Sequence, residues 1–364
     1  LTKIHDVYIP PVGPDDADIM VVGEAGGKDE EEQKEPFVGK SGNLLDRYGQ
    51  RNGLRRERMF LTNLCKYRPY GNKFNNLLGS DKLSEGLEEL AEEIKRVNPK
   101  VIFAAGGWPM YYLTGQCGEK NKKPSPGSGI LTRRGSVFPC TLVDDGPKVV
   151  CSLHPAYILR NWKWNPVFND DLSRLARESV DRDLHYPEYE LLVDPPDIGM
   201  IVDEMCEAEW LSIDIETFAP GEMSCFGVCD SENRVLVITF KCPQGWEYAE
   251  QIVRSPAKKI AQYGTYDKMF IEYFYGWTWQ NFVFDTYIAA AHLMPAFPRR
   301  LDFLASIYTD FPYYKEERKR WRREMDLDLL WSYNGKDVIA TWQIAFKQMK
   351  ELEDHYDTRI FNAV

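Results

Sequence analysis

Short apolar runs alternate with stretches whose apolar positions recur every three or four residues through the first half of the chain. Ile19-Met20-Val21-Val22 reads as a buried strand, and Ser41 to Asn52 and Ser84 to Val97 read as helices. Leu61-Thr62-Asn63 ends a further strand, and Val101 to Ala105 and Lys148 to Cys151 are two more. Strands separated by helices in this order predict a parallel sheet with helices on both faces. Lys120 to Gly129 is rich in Pro, Gly, Ser and Lys and reads as a mobile loop. Pro187, Pro195 and Pro196 break helix in the next stretch, which reads as a joint. Beyond it Ile198 to Ala208 is a predicted helix and Trp210 to Glu216 a strand. Cys225 to Val228 and Arg234 to Thr239 are expected antiparallel partners, and a mostly helical tail follows from Asp285.

The 364 residues suffice for about two domains at roughly 150 residues each. We expect the first to run over 1–190 and the second over 191–350. An apolar share of 43% against 28% charged residues fits folded domains rather than a disordered chain. No apolar run approaches the roughly 18 residues of a membrane span. The net charge of -11 argues against a basic coat protein for nucleic acid, although local patches and acidic metal sites remain compatible with a nucleic-acid enzyme. None of the eight cysteines forms a C-x-x-C pair, as expected for reduced, mostly buried thiols in a cytoplasmic protein or a viral protein inside its host cell.

The sharper chemistry lies in the second half. Asp214-Ile215-Glu216 closes a strand, and residues two apart on a strand share a face, so two carboxylates converge. Asp267 opens an apolar helical stretch. Tyr333 and Asp337 stand at i and i+4 on one helix face. Together with D-I-E-T at 214–217, Y-D at 266–267, F-D-T-Y at 284–287, L-D-F-L-A at 301–305 and Y-N-G-K-D at 333–337, the stretch from Ile198 to Lys350 resembles a known family. This is the 3′–5′ proofreading exonuclease domain of A-family DNA polymerases, of the DEDD type with a tyrosine in its last motif. The resemblance implies a ribonuclease H-like mixed sheet flanked by helices. It also implies two Mg²⁺ or Mn²⁺ ions held by Asp214, Glu216, Asp267 and Asp337, with Tyr333 orienting the attacking water. Asp285, just before an apolar helix, reads as an N-cap. Tyr263 stands where the family usually has Asn. The charged run Lys315 to Glu324 reads as a solvated helix face, with a DNA-backbone contact as the alternative.

In the first half, Val22-Gly23-Glu24-Ala25-Gly26-Gly27 follows a strand directly, a turn that lets backbone N–H groups approach an anion or a sugar-phosphate, with a nucleotide-binding turn as an equal alternative from this motif alone. Pro36-Phe37-Val38-Gly39, Thr62-Asn63 with Lys66-Tyr67-Arg68-Pro69, and His154-Pro155-Ala156 complete a set that resembles family 4 uracil-DNA glycosylases over Ile19 to Leu175. That resemblance implies a parallel α/β/α sandwich and a pocket for a flipped-out base. Phe37 would stack the base, Asn63 would pair with it, His154 would donate toward its carbonyl oxygen, and Glu24 would sit near the sugar. The family usually carries an iron–sulfur cluster on four cysteines. Here Tyr67 replaces one, the 84–94 helix supplies none and the leading C-x-x-C is absent, so no cluster is expected. Gly26 replaces a proline of the first motif.

The expected partner is DNA with a single-stranded 3′ end, uracil-containing for the first domain; no membrane is expected. Residues 351–364 resemble the stretch leading into a polymerase domain, which implies a fragment of a larger A-family polymerase, with a viral source as one expectation. Two alternatives stand beside an active glycosylase: a catalytically inactive DNA- or uracil-binding or docking module, and a non-catalytic interaction protein.

Overall fold

The computed structural model describes residues 4–121, 123–321 and 326–355. Residues 322–324 of the charged run and 356–364 of the C-terminal stretch lie outside the described residues. The chain separates between His185 and Tyr186 into two compact units.

The first unit contains β1 (Ile4–Tyr8), β2 (Ile19–Ala25), α1 (Lys28–Gln33), α2 (Gly39–Arg51), β3 (Met59–Cys65), β4 (Tyr67–Pro69) and α3 (Asp81–Val97). It continues with β5 (Val101–Ala105), α4 (Gly107–Thr114), β6 (Gly118–Lys120), β7 (Lys123–Ser125), α5 (Ile130–Arg133), β8 (Val137–Pro139), β9 (Lys148–Ser152), α6 (Pro155–Arg160) and α7 (Asn165–Glu178). Its five-stranded sheet has the order β3-β2-β5-β9-β8, parallel except for β8 against β9. All five residues of β5 are buried. Side chains alternate across a strand, so both faces of the sheet are covered. Each large aliphatic side chain buried there contributes about 1.5–3 kcal/mol. The stretch read as a mobile loop from Lys120 holds β7, paired antiparallel with β6. Lys-Pro-Ser offers no alternation to signal such a hairpin.

The second unit contains β10 (Glu190–Val193), α8 (Ile198–Cys206), β11 (Trp210–Ala219), β12 (Glu222–Cys229), β13 (Arg234–Thr239), α9 (Gly245–Arg254), β14 (Lys258–Ala261) and α10 (Thr265–Phe274). After these come β15 (Phe282–Asp285), α11 (Thr286–Leu293), α12 (Leu301–Tyr308), α13 (Glu316–Arg320) and α14 (Leu327–His355). The six-stranded sheet runs β10-β13-β12-β11-β14-β15. The pairs β11–β12 and β12–β13 are antiparallel, while β14 and β15 run parallel to β11. This is the ribonuclease H-like mixed sheet, extended by β10 at the β13 edge. The edge strand falls inside the proline-broken stretch read as a joint. Its four residues are only half buried or exposed, so hydrophobic patterning does not reveal it. Helix α14 packs across β11, β12 and β13. It thereby lies over the strand that is flanked by an antiparallel partner on one side and a parallel one on the other, the kind of switch point where open sheets place their sites.

Candidate functional site

In the second unit, β11 directs Asp214 and Glu216 to one side, and α14 brings Asp337 down upon them. One ligand atom from each of these three carboxylates lies within 4.8 Å of the others. Among the described residues this is the group of acidic, histidine or cysteine side chains dense enough to hold a metal ion. Asp267, at the start of α10, is buried beside it but stands outside that group. Backbone N–H groups of Ile215 and of Asp267 itself favour its ionised form, against the larger effect of burial. Burial raises the pKa of Asp214 well above the usual range, reinforced by the nearby charges of Asp337, Asp267 and Glu216. Asp267 is raised in the same way by burial and then by Glu216 and Asp285. Burial raises Glu216 too, partly opposed by Arg318. Crowded buried carboxylates of this kind are costly unless cations or protons compensate them.

Tyr333 lies one turn before Asp337 and is buried. Burial, then the charges of Asp337, Glu216 and Asp214, push its phenol far above its ordinary pKa, so it keeps its proton. Several neighbours were not legible as site residues in the sequence. Asn334 Nδ2 donates to Asp214 Oδ2 at 2.8 Å, and Tyr314 Oη donates to Asp337 Oδ1 at 2.7 Å. Lys315 Nζ donates to both Asp337 oxygens at 2.5 Å and to Tyr333 Oη at 2.7 Å. Arg318 Nε reaches Glu216 Oε2 at 2.7 Å. The charge run was the available signal for the last two, although a solvated face is the commoner meaning of such a run. Asp285 caps α11, accepting from Tyr287 N at 2.8 Å, and also accepts from Tyr263 N and Gly264 N at 3.0 Å each. Tyr263 sits at φ +55° and is 57% exposed. Asn tolerates that left-handed region better than Tyr.

In the first unit, Glu24, Phe37, Asn63 and His154 line one cavity of about 560 Å³. Gly23 makes their approach feasible: a Cβ there would stand 2.4 Å from Asn63 Oδ1 and 2.8 Å from Phe37 Cζ. Phe37 itself has φ +54°, a strained value for an aromatic residue. Arg56 holds the turn, donating from Nη1 to Phe37 O at 3.0 Å and from Nη2 to Pro36 O at 2.9 Å. The Phe37 and His154 rings are nearly parallel, 22° apart in plane with centroids 6.3 Å apart. His154 caps α6, its Nδ1 accepting from Ala156 N at 3.0 Å. That bond leaves the ring proton on Nε2. Burial lowers the imidazole pKa to about 4, with Arg160 adding to the effect, so the ring is neutral near pH 7. Burial raises Glu24 to about 7, opposed by the Trp108 backbone N–H in the first turn of α4. Beneath Asn63, buried Lys66 bonds to Asn63 O at 3.0 Å and pairs with Glu93 at 2.8 Å.

The residues around Tyr67 do not fit an iron–sulfur cluster. Tyr67 packs edge-on against Tyr8, with centroids 5.7 Å apart, and lies under Lys82 Nζ at 4.2 Å. Tyr8 Oη donates to Glu89 Oε2 at 3.0 Å, and Lys82 pairs with Asp6 at 2.6 Å. Cys65 donates to Lys82 O within a buried setting. Aromatic rings and ion pairs, not thiolates, clasp β1, β4 and α3 together.

The family described as the uracil-DNA glycosylase superfamily matches residues 10–176, and the family described as 3′–5′ exonuclease matches residues 206–353. The type-4 uracil-DNA glycosylase of Archaeoglobus fulgidus is 30% identical over 180 residues, covering 48% of this chain and 84% of that protein. That of Thermotoga maritima is 29% identical over 167 residues, covering 46% of this chain and 76% of that protein. Among solved structures, Brucella melitensis NrnC with bound Mg²⁺ gives a TM-score of 0.38 at 16% identity, covering 49% of this chain and 88% of that one. RNase D of Escherichia coli, an exoribonuclease involved in structured RNA processing, gives 0.37 at 20% identity, covering 46% of each chain. The chain thus belongs to the uracil-DNA glycosylase superfamily through its N-terminal unit and carries a 3′–5′ exonuclease domain as its C-terminal unit.

Proposed function

We propose that the C-terminal unit hydrolyses terminal phosphodiesters from a single-stranded 3′ end of DNA, dependent on Mg²⁺ or Mn²⁺, as part of an A-family DNA polymerase. The observation that carries this reading is the clustering of Asp214, Glu216 and Asp337 within 4.8 Å, with Asp267 buried beside them. Hard carboxylate oxygens suit these ions, and Asp214, Glu216, Asp267 and Asp337 are the residues that would hold them. Bound there, such ions supply an activated water near neutral pH and shield charge on the scissile phosphate. The chain's own residues do the positioning. Asn334 holds the Asp214 carboxylate in place. Tyr333 retains its proton, so it can donate a hydrogen bond and orient the attacking water. A 3′-labelled oligonucleotide should lose mononucleotides in Mn²⁺. EDTA and Asp214→Ala should each abolish the loss, and release that survives either one overturns the reading.

For the N-terminal unit we propose recognition and excision of uracil. The convergence of Phe37, Asn63, His154 and Glu24 on one cavity supports it. Phe37 would stack on the flipped base and Asn63 would read its edge. The C1′–N1 bond breaks with its electron pair leaving on the base. His154 Nε2–H stabilises the resulting uracil anion at its carbonyl oxygen, while ionised Glu24 stabilises the cationic sugar until water adds at C1′. Abasic sites should form in uracil-containing DNA without added metal. Intact DNA with tight binding retained would instead favour an inactive base-binding module.

A further inference from the structure

We propose that Lys315 and Arg318 form a basic latch that neutralises the nuclease carboxylates until divalent ions bind and then transfers to the terminal phosphates of the substrate. The proposal rests on the exonuclease reading above and adds two phosphate ligands to it.

The charged run that contains these residues has the composition of a solvated helix face. Instead, the Lys315 side chain is only 16% exposed, and its ammonium sits on both oxygens of Asp337. Arg318 takes Glu216. The two cations therefore engage two different members of the ligand group, while the third, Asp214, is held by the neutral amide of Asn334. This division relieves the crowding of three carboxylates, one buried and two partly buried, without any ion.

The arrangement is incompatible with a loaded site as it stands. Lys315 occupies both oxygens of Asp337 on one side, and an ammonium beside a divalent cation is repelled. The head group must leave when an ion is chelated. The surrounding segment need not move with it. Tyr314 Oη is bonded to Asp337, and Glu317 is paired with Lys336 of α14 at 2.8 Å, so the backbone on either side of Lys315 is anchored. A lysine head on a four-carbon stem can swing while its Cα stays fixed. The anions that arrive with the ions are the phosphodiesters of the 3′ end. Ammonium and guanidinium groups displaced from carboxylates at the same site are positioned to take non-bridging phosphate oxygens, for which guanidinium geometry is well matched. Lys315 also releases Tyr333 Oη as it leaves, freeing the phenol to engage water.

The test measures Mn²⁺ binding to the full chain by titration calorimetry without DNA, for wild type, Lys315→Met, Lys315→Arg and Arg318→Gln. Lys315→Met and Arg318→Gln should each bind Mn²⁺ about tenfold more tightly, because each removes a competing cation. Lys315→Arg should stay near wild type. At saturating Mn²⁺, Lys315→Met should lower kcat on a 3′-labelled oligonucleotide, and Arg318→Gln should raise KM with a shallower salt dependence. Arg318 is the more exposed of the two, so its variant remains informative if Lys315→Met fails to fold. Unchanged or weaker Mn²⁺ affinity in Arg318→Gln and in a folded Lys315→Met overturns the latch. Unchanged kcat and KM overturn the phosphate role. Wild type that binds no Mn²⁺ overturns the exonuclease reading itself, an outcome distinct from the other two.

Discussion

The side-chain amide of Asn334 bonds both to Asp214 Oδ2 at 2.8 Å and to the Asp214 backbone carbonyl at 3.2 Å, so one residue of the last helix holds the leading carboxylate and its strand together. Asn334 is fully buried, and a Cβ at Gly227 would stand 2.2 Å from its Oδ1. Asn334→Ala should cost about 1–3 kcal/mol in urea titrations, the range for losing a buried charge-assisted bond. Its nuclease rate should fall as the carboxylate loosens. Asn334→Asp should be worse in both assays, because it sets another carboxylate against Asp214. A rate equal to wild type in Asn334→Ala would show that Asp214 needs no such support.

Glu24 and His154 carry opposite pH signatures. Glu24 keeps its proton up to about pH 7 in the folded state but only to about 4.5 unfolded. Between those values the unfolded chain binds fewer protons, so this residue's contribution to stability is lost as pH rises through about 7. His154 is lowered from 6.5 to about 4, so its contribution is present above 6.5 and is lost as pH falls through about 4. Uracil excision that needs ionised Glu24 should rise with pH and level off above about 7. Glu24→Gln should flatten its part of the stability profile and remove that rise. An excision rate independent of pH from about 5 to about 8, a range that brackets Glu24's folded value of about 7, would separate Glu24 from the chemistry.

Arg56 clamps a turn that its own sequence does not favour. Phe37 is left-handed, and a Cβ on Gly42 would lie 1.6 Å from the Phe37 carbonyl oxygen. Arg56→Met should cost about 1–3 kcal/mol and raise KM for uracil-containing DNA more than it lowers kcat, because the stacking ring loses its fixed position. Gly42→Ala should disrupt the same turn from beneath. Calorimetric melting and steady-state kinetics of both variants check this, and a pure kcat effect would refute a positioning role for Arg56.

The clasp at Tyr8, Tyr67 and Lys82 predicts that the N-terminal unit folds without iron. Elemental analysis of the purified chain should find none, and a strong iron chelator should leave its melting temperature unchanged. Lys82→Met should lower the melting temperature slightly, since Lys82 serves Tyr67, Asp6 and the His5 carbonyl at once. A chelator-induced drop in melting temperature would mean that other donors hold a metal in this unit.

The placement of Asp214 with Glu216, and of Tyr333 with Asp337, was legible because strand and helix periods dictate which residues share a face whatever the rest of the chain does. The parallel core of the first unit was legible from the short apolar runs in β2, β5 and β9. The exposed edge strand at 190–193 and the hairpin at 118–125 carry no such pattern. The sequence by itself therefore determined the two fold types, the Asp214 and Glu216 carboxylates sharing a strand face, and Tyr333 and Asp337 sharing a helix face. Only the tertiary structure decided that Asp267 stands back from the other three acids, that Arg56 holds Phe37, and that Lys315 and Arg318 turn inward. Those relationships join residues 19 to 102 positions apart. Local periodicity does not reach that far, and a buried charge takes as its partner whatever the packing of α14 on β11 brings within a few ångströms.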